Sequence, residues 1–207
     1  MPTHALIAVR EEGGERSGRK GAAALLAVTA AVILVGAVAY GFIASPSSTS
    51  TSTTSTYYAI SPGVIVSSAA QQNPSGYSLE SSKGNPTSNG ETQDGDWAVL
   101  GQADGSVANL TAVVFSSTTT SQSYFSRVVA NLRGLPGYTD ITPTLSAYQQ
   151  YGKCYGYGED VDGIAVVNGV CTKGNVLLQV HLVSSKAFGD LEADMTSLMG
   201  ALYQSAG

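Results

Sequence analysis

The sequence predicts an N-terminal transmembrane helix followed by one α+β domain, in which an antiparallel sheet carries two amphipathic helices in the order ββαβββα. Three observations support this fold class. Residues 21–44 form an apolar run without a charged side chain. Several later segments have the composition of β-strands. Two further segments repeat apolar residues at helical spacing.

The apolar run at 21–44 is long enough to cross a membrane. At about 1.5 Å rise per residue it spans the roughly 30 Å hydrocarbon core of a bilayer and would lie in membrane lipid. Four basic residues precede it, and the next basic residue after it is Lys83. Cationic flanks stay in the cytoplasm, so we expect residues 1–20 to form a cytoplasmic tail and the C-terminal domain to be extracytoplasmic.

Whether this helix is retained depends on two opposing features. The run exceeds the roughly 7–15 apolar residues of a signal peptide, which favours a retained signal-anchor. The triplet Ala37-Val38-Ala39 offers a small-residue cleavage pattern, so the alternative is that the helix is removed as a signal peptide. Small residues at four-residue spacing also allow another helix to approach closely. They are Ala23, Ala27 and Ala31, and the pair Ala37 and Gly41.

The junction before the apolar run carries a second pattern. Arg19-Lys20-Gly21, followed by the run, resembles the class III signal of archaeal type IV pilins. The resemblance covers residues 19–44. It implies cleavage near Gly21 and a helix that packs into the core of a surface filament.

Residues 45–56 read SPSSTSTSTTST and have almost nothing to bury. Such a composition does not offset the entropy of ordering, so it predicts a linker. Residues 57–207 are long enough for one domain with a core. This part has six basic residues against twelve acids, which argues against nucleic acid as a partner.

Strand signals begin in the middle of the chain. Segments 97–102 and 110–116 carry β-branched and apolar residues, and Asp104-Gly105 predicts a hairpin turn between them. A further strand is possible at 77–81, while the type of the apolar stretch at 64–70 stays open. Asn109-Leu110-Thr111 is a sequon for N-glycosylation, and the alternative is that Asn109 is an ordinary strand residue.

Two amphipathic helices are predicted from spacing. The first covers residues 121–133, with Ser121 as N-cap and Gly134 and Pro136 at its end. The second closes the chain, and acids in its first turns suit the helix dipole. Its apolar stripe consists of Phe188, Leu191, Met195, Leu198, Met199 and Leu202.

The two cysteines of the chain are predicted to form a disulfide. Asp162-Gly163 is a favoured two-residue hairpin turn, and residues equidistant from it pair across the hairpin. This pairing places Cys154 directly opposite Cys171. Outside the cytoplasm two such thiols should oxidise, and the alternative is two buried free cysteines. Without nearby histidines they do not provide a zinc shell, so no metal site is predicted.

The same pairing places three tyrosines on one face of the sheet. Tyr151, Tyr155 and Tyr157 would share the side that also carries His181. Tyrosine is enriched in binding patches, so this face is a candidate surface for a partner. The alternative is that the three rings pack under loops or a helix.

The sequence offers few candidates for catalysis. His181 is the single imidazole of residues 57–207, and no nucleophile, phosphate or metalloprotease motif accompanies it. The pattern predicts no catalytic residue and no cofactor, with His181 as a structural or surface residue. The alternative is a secreted hydrolase that pairs His181 with a serine.

The element order, with VLLQVHLVSS followed by FGDLEADMTSLMGALY at the end, is similar to PsbP/Mog1-like α/β/α sandwich domains. The resemblance covers residues 95–207 and implies a binding or accessory role. The anchor, the tether and a disulfide-stapled domain without catalytic residues favour a non-enzymatic accessory subunit that binds protein partners in a membrane or envelope complex. The alternative is the pilin-like filament subunit processed near Gly21.

Overall fold

The computed structural model describes residues 60–84, 92–134 and 137–207. The predicted tail, transmembrane helix and linker lie outside these residues. So do the small residues proposed for helix packing, which are Ala23, Ala27, Ala31, Ala37 and Gly41. In the part of the chain that is described, no helix is long and apolar enough to cross a membrane.

Seven strands of the described residues form one sheet, and every neighbouring pair is antiparallel. The strands are β1 (Ser78–Gly84), β2 (Thr92–Gly101), β3 (Val107–Phe115), β4 (Thr139–Asp140), β5 (Cys154–Val161), β6 (Ile164–Lys173) and β7 (Val176–Ser184). Their order across the sheet is β1-β2-β3-β7-β6-β5-β4. The last strand in the sequence, β7, therefore lies at the centre of the sheet.

Helices cover both faces of this sheet. The α-helices among the described residues are α1 (Pro62–Gln71), α2 (Thr118–Leu132) and α3 (Phe188–Ser205), with short 3-10 helices at Pro74–Gly76 and Thr142–Tyr148. On the first face, α1 and α3 close a core of aliphatic side chains from β2, β3, β6 and β7. On the second face, α2 closes a smaller core rich in aromatic rings. The predicted α+β class with an antiparallel sheet is confirmed.

Both predicted hairpins are present. Residues 102–106 turn between β2 and β3, where Gly105 N–H donates to the Gln102 carbonyl and Asp104 accepts from the Ser106 N–H. Asp162 and Gly163 have φ of 54° and 79°, the left-handed values that a type I′ turn requires. Cys154 therefore lies opposite Cys171, and the predicted disulfide joins them with a Cα–Cα distance of 4.1 Å.

The first amphipathic helix begins earlier than predicted. Ser117 is its N-cap, since its hydroxyl accepts from the Thr120 N–H at 3.1 Å. Ser121, the predicted cap, lies one turn inside the helix and is buried, where its hydroxyl donates to the Gly174 carbonyl at 2.8 Å. The serine and threonine run offered several caps, and the tertiary contact with Gly174 decides which one is used.

Three elements were absent from the predicted order ββαβββα. Residues 64–70 belong to α1, a helix that lacks a side-chain cap and has no acid in its first turn. The possible strand at 77–81 is β1, whose polar sequence carries little strand signal. The third, β4, has two residues and depends on its pairing with Gly158 and Tyr157.

Candidate functional site

A row of polar side chains crosses the centre of the second face of the sheet. Asn109 of β3 is paired with His181 of β7, and His181 is paired in turn with Asn168 of β6. We call these three residues the polar row. The next residue across the sheet is Tyr157 of β5, which belongs to the aromatic core under α2. Directly paired residues of antiparallel strands share a face, so the polar row lies on the α2 side.

Two members of the polar row are hydrogen-bonded to each other inside the protein. His181 Nδ1 lies 2.6 Å from Asn168 Oδ1. Asn168 is 1% exposed and His181 is 6% exposed. The remaining polar atoms of the pair, His181 Nε2 and Asn168 Nδ2, have no hydrogen-bond partner.

Burial keeps the imidazole of His181 neutral. It lowers the pKa of His181 from its ordinary value of 6.5 to about 4. The charged form would lose its hydration without gaining a counter-charge, since the paired groups on both sides are neutral amides. At neutral pH one ring nitrogen therefore carries a proton and the other can accept a hydrogen bond.

The α2 helix covers only one end of the second face. Its Tyr124, Phe125 and Val129 pack against Phe115 and Leu177 at that end. Further along, several side chains of this face are half-buried, although Val183, two residues after His181 on β7, is buried. The half-buried side chains are Trp97, Val99, Val107, Asn109, Thr111, Val166 and Gln179. The polar row lies where the covered part of this face meets the part that α2 does not cover.

The three tyrosines of the predicted partner surface do not form one exposed face. Tyr155 and Tyr157 do share a side, but both are buried in the core under α2, and Arg133 lies 5.2 Å above the Tyr155 ring. Burial also raises the pKa of Tyr157. Tyr151 precedes β5 and is exposed, with its ring 5.6 Å from that of Tyr203 in α3. The strand alternation that unites Tyr155 and Tyr157 ends before it reaches Tyr151.

Tyr151 belongs to a second group of aromatic side chains, which we call the tyrosine cluster. Tyr148 stacks on Tyr203 with a centroid distance of 4.9 Å, and Tyr151 tilts against the same ring. The hydroxyl of Tyr203 donates to the Thr172 carbonyl and lies 3.9 Å from Cys154 Sγ. The cluster therefore lies beside the disulfide.

Asn109 is half-buried on β3, and its Oδ1 accepts a hydrogen bond from the Thr111 hydroxyl at 3.3 Å. Both residues of the sequon thus lie in a central strand, paired on both sides. Glycosylation of Asn109 stays a prediction.

The hydrolase alternative required a serine beside His181. In the described ranges no serine hydroxyl bonds the ring, because Nδ1 is paired with Asn168 and Nε2 has no partner. The described residues also contain no group of three or more potential metal ligands from histidine, cysteine, aspartate and glutamate.

His181 lies mid-strand as predicted, whereas Asn168 was not among the predicted site residues. A usable signal existed, because Gly174 and Asn175 connect β6 to β7 as a two-residue turn, with Gly174 at φ 57°. Pairing outward from this turn places Asn168 opposite His181. No such turn predicted the pairing of Asn109 with His181, since β3 and β7 are far apart in sequence.

No family model matches the sequence, and no curated protein matches it. Two solved structures are similar in part. The extracellular domain of PknH from Mycobacterium tuberculosis has a TM-score of 0.48 at 8% identity, over 69% of this chain and 95% of that chain. A GTP binding regulator from Thermotoga maritima has a TM-score of 0.35 at 10% identity, over 59% of this chain and 78% of that chain.

TM-scores this low do not establish a shared fold, so neither protein bears on the function of this chain. They also leave the resemblance to PsbP/Mog1-like domains and the resemblance to pilins as predictions.

Proposed function

We propose that this protein is a single-pass membrane-anchored extracytoplasmic domain that binds a protein partner as an accessory subunit of a membrane or envelope complex. The observation that carries the proposal is the disulfide between Cys154 and Cys171. Disulfides persist in oxidising compartments and are rare in the cytosol. Export behind the apolar run at 21–44 would bring the domain into such a compartment.

The tyrosine cluster is the surface that we assign to the partner. Tyr151 is 57% exposed, and its ring contacts that of Tyr203 in a tilted arrangement with a centroid distance of 5.6 Å. Tyrosine gives a large contact area and a hydroxyl group at low entropic cost, which suits the centre of an interface. The neighbouring disulfide and the stacked pair of Tyr148 and Tyr203 hold this surface in place.

The compartment is tested by the redox state of the cysteines in cells. We expect the full chain to resist thiol alkylation until it is reduced. A variant that lacks residues 1–44 and stays in the cytoplasm should be alkylated at once. Free thiols in the full chain would contradict an extracytoplasmic location. The C154A/C171A variant controls for labelling elsewhere.

Partner binding is tested by purifying the full chain from native membranes in mild detergent. We expect it to migrate as a complex, and we expect Tyr151→Ala to release it. The matched control is Val161→Ala, which removes another exposed apolar side chain at the end of β5. A wild-type chain that runs alone as a monomer would contradict the accessory role.

The filament subunit is a second proposal, favoured by Arg19-Lys20-Gly21 before the apolar run. It predicts a mature protein whose first residue is Gly21 or Ala22. Mass spectrometry of the N-terminus of the native protein separates the two proposals. A chain that retains residues 1–20 would contradict processing, while a shortened chain in filaments would replace the accessory role.

A further inference from the structure

The disulfide lies at the first residue of β5, beside the segment that carries Tyr151. Cys154 opens β5 and is paired with Cys171 of β6. Tyr151 comes three residues earlier in the chain and is the exposed member of the tyrosine cluster. The position of the Tyr151 ring therefore depends on how the beginning of β5 is held against β6.

Three hydrogen bonds at this end of the hairpin involve Thr172. Its N–H donates to the Lys153 carbonyl at 2.8 Å, and its hydroxyl accepts from the Lys153 N–H at 2.9 Å. Its carbonyl accepts from the Tyr203 hydroxyl at 3.0 Å. Residue 172 thus holds both the segment before β5 and one ring of the tyrosine cluster.

The disulfide is the direct link between the two strands at the next position. Lys153 and Thr172 form a hydrogen-bonded pair of the antiparallel ladder. The pair that follows is of the other kind, whose members share no backbone hydrogen bond. That pair is Cys154 and Cys171, so the covalent bond between the sulfurs joins the strands there.

On its other side the beginning of β5 is an edge of the sheet. Strand β4 pairs with Tyr157 and Gly158, which lie further along β5. The Gly156 N–H donates to the Thr142 hydroxyl at 3.1 Å. Within the described ranges no strand pairs with Cys154 on that side. The contacts with β6 therefore decide whether the first residues of β5 stay in place.

The disulfide also contacts the tyrosine cluster. Cys154 Sγ lies 3.9 Å from the hydroxyl of Tyr203. The Tyr203 ring in turn stacks on Tyr148 and contacts the tilted ring of Tyr151. A displacement of the Cys154 sulfur therefore changes the surroundings of the ring that Tyr151 contacts.

The two cysteines differ in accessibility. Cys171 is fully buried, whereas Cys154 keeps part of its surface accessible. A thiolate of a dithiol reductant would attack Cys154 Sγ, so that the S–S bond breaks, a mixed disulfide forms and Cys171 leaves as a thiolate. The second thiolate of the reductant then displaces Cys154 from the mixed disulfide. The reductant ends as a disulfide, and its two electrons and two protons end on the two cysteines.

We propose that the disulfide between Cys154 and Cys171 is a redox switch for the tyrosine cluster, whose reduction by a dithiol frees the beginning of β5 and weakens partner binding. The inference rests on the proposed function, because it concerns the partner surface assigned there. After reduction the hydrogen bonds of Thr172 hold the segment, and each contributes less than the covalent link. The segment that carries Tyr151 then opens without unfolding of the central strands.

Hydrogen-deuterium exchange of the full chain in detergent tests the opening. The measured quantity is the exchange rate of the Lys153 amide divided by that of the amides in β7. We expect this ratio to rise about tenfold or more when dithiothreitol reduces the disulfide. C154A/C171A should give the high ratio with and without the reagent. A general loss of stability speeds both rates alike, so an unchanged ratio in the reduced chain overturns the proposal.

Partner binding is measured with the partner recovered from the complex of the oxidised wild type. Without any reductant, so that disulfides of the partner stay intact, C154A/C171A should bind it about tenfold more weakly than the oxidised wild type. The reduced wild type should match this variant and regain binding on reoxidation. Val161→Ala, at the other end of β5, is the matched control and should bind like the wild type.

Two outcomes separate this inference from the proposed function. Unweakened binding to C154A/C171A and to the reduced wild type overturns the switch and leaves the accessory role intact. An oxidised wild type without any partner contradicts the accessory role instead, and the exchange ratio then still decides whether reduction frees the beginning of β5.

Discussion

The imidazole of His181 and the amide of Asn168 share a hydrogen bond of 2.6 Å across β6 and β7, within the interior of the domain. One polar atom on each side chain is thereby satisfied, and the other is not. Buried polar groups in proteins are mostly paired, so removing one partner of this hydrogen bond should have a measurable effect on stability.

The first prediction concerns pH. The folded His181 has a pKa of about 4, whereas the unfolded chain binds this proton near 6.5. The contribution of neutral His181 to stability is complete above pH 6.5 and is lost as the pH falls from 6.5 to 4. The loss amounts to about 3 kcal/mol. Below pH 4 both states are protonated and the loss stops growing.

Urea unfolding at several pH values measures this loss. Between pH 7 and pH 4 the free energy of unfolding of the wild type should fall by about 3 kcal/mol more than that of His181→Leu. Among the described residues of the two adjacent rows on this face, the charged residues are Glu159 of β5 and Lys83 of β1, and both are present in both proteins. His4→Leu is the control. Parallel pH profiles for wild type and His181→Leu would contradict the prediction.

The second prediction concerns the pair as a unit. Asn168→Leu or His181→Leu alone should lower the free energy of unfolding by about 1–3 kcal/mol, because each leaves its partner wholly unsatisfied. The double variant should be at least as stable as the wild type, since both polar groups are gone. A double-mutant cycle from urea melts measures the coupling. Simple additivity of the two losses would show that the hydrogen bond is unimportant.

The third prediction concerns the disulfide. It closes a loop with a sequence separation of 17 residues. The chain-entropy relation gives about 3 kcal/mol for a loop of this length. C154A/C171A should therefore have a lower urea midpoint than the oxidised wild type. Reducing agent should lower the midpoint of the wild type and leave that of the variant unchanged; a variant as stable as the wild type would contradict the prediction.

The fourth prediction concerns a glycine in β5. A Cβ on Gly158 would lie 2.8 Å from the Val166 carbonyl oxygen and 2.7 Å from Cζ of Phe188 in α3. Gly158→Ala should destabilise the domain by about 1–3 kcal/mol, because backbone and a packed ring would have to move. Gly189→Ala is the matched control, since a Cβ at that helical position meets no atom within 4 Å. Equal thermal midpoints for the two variants would contradict the packing argument.

Local signals predicted the hairpins and their consequences well. The turn at Asp162-Gly163 needs left-handed φ values at both residues, which Asp and Gly tolerate, so it specified the register of β5 and β6. The disulfide and the burial of Cys171 with the first-face core followed from that register. The closing helix was similarly clear, because its apolar stripe repeats through α3.

Features that depend on contacts between residues distant in sequence could not be predicted in the same way. The helix α1 has no cap and no charge pattern, and β4 exists through its pairing with β5. The tyrosines of β5 were assigned to one face correctly, but only the position of α2 decides that they are buried. Alternation along a strand tells which residues share a side and not what covers that side.

The sequence by itself determined the apolar run, the linker composition, the two hairpins and the pairing of the cysteines, because each depends on neighbours in the chain. Only the tertiary structure decided that β7 lies between β3 and β6 and so places His181 between Asn109 and Asn168. That decision comes from burying the aliphatic faces of β3 and β7 under α1 and α3. Burial depends on the whole core, which no local pattern encodes.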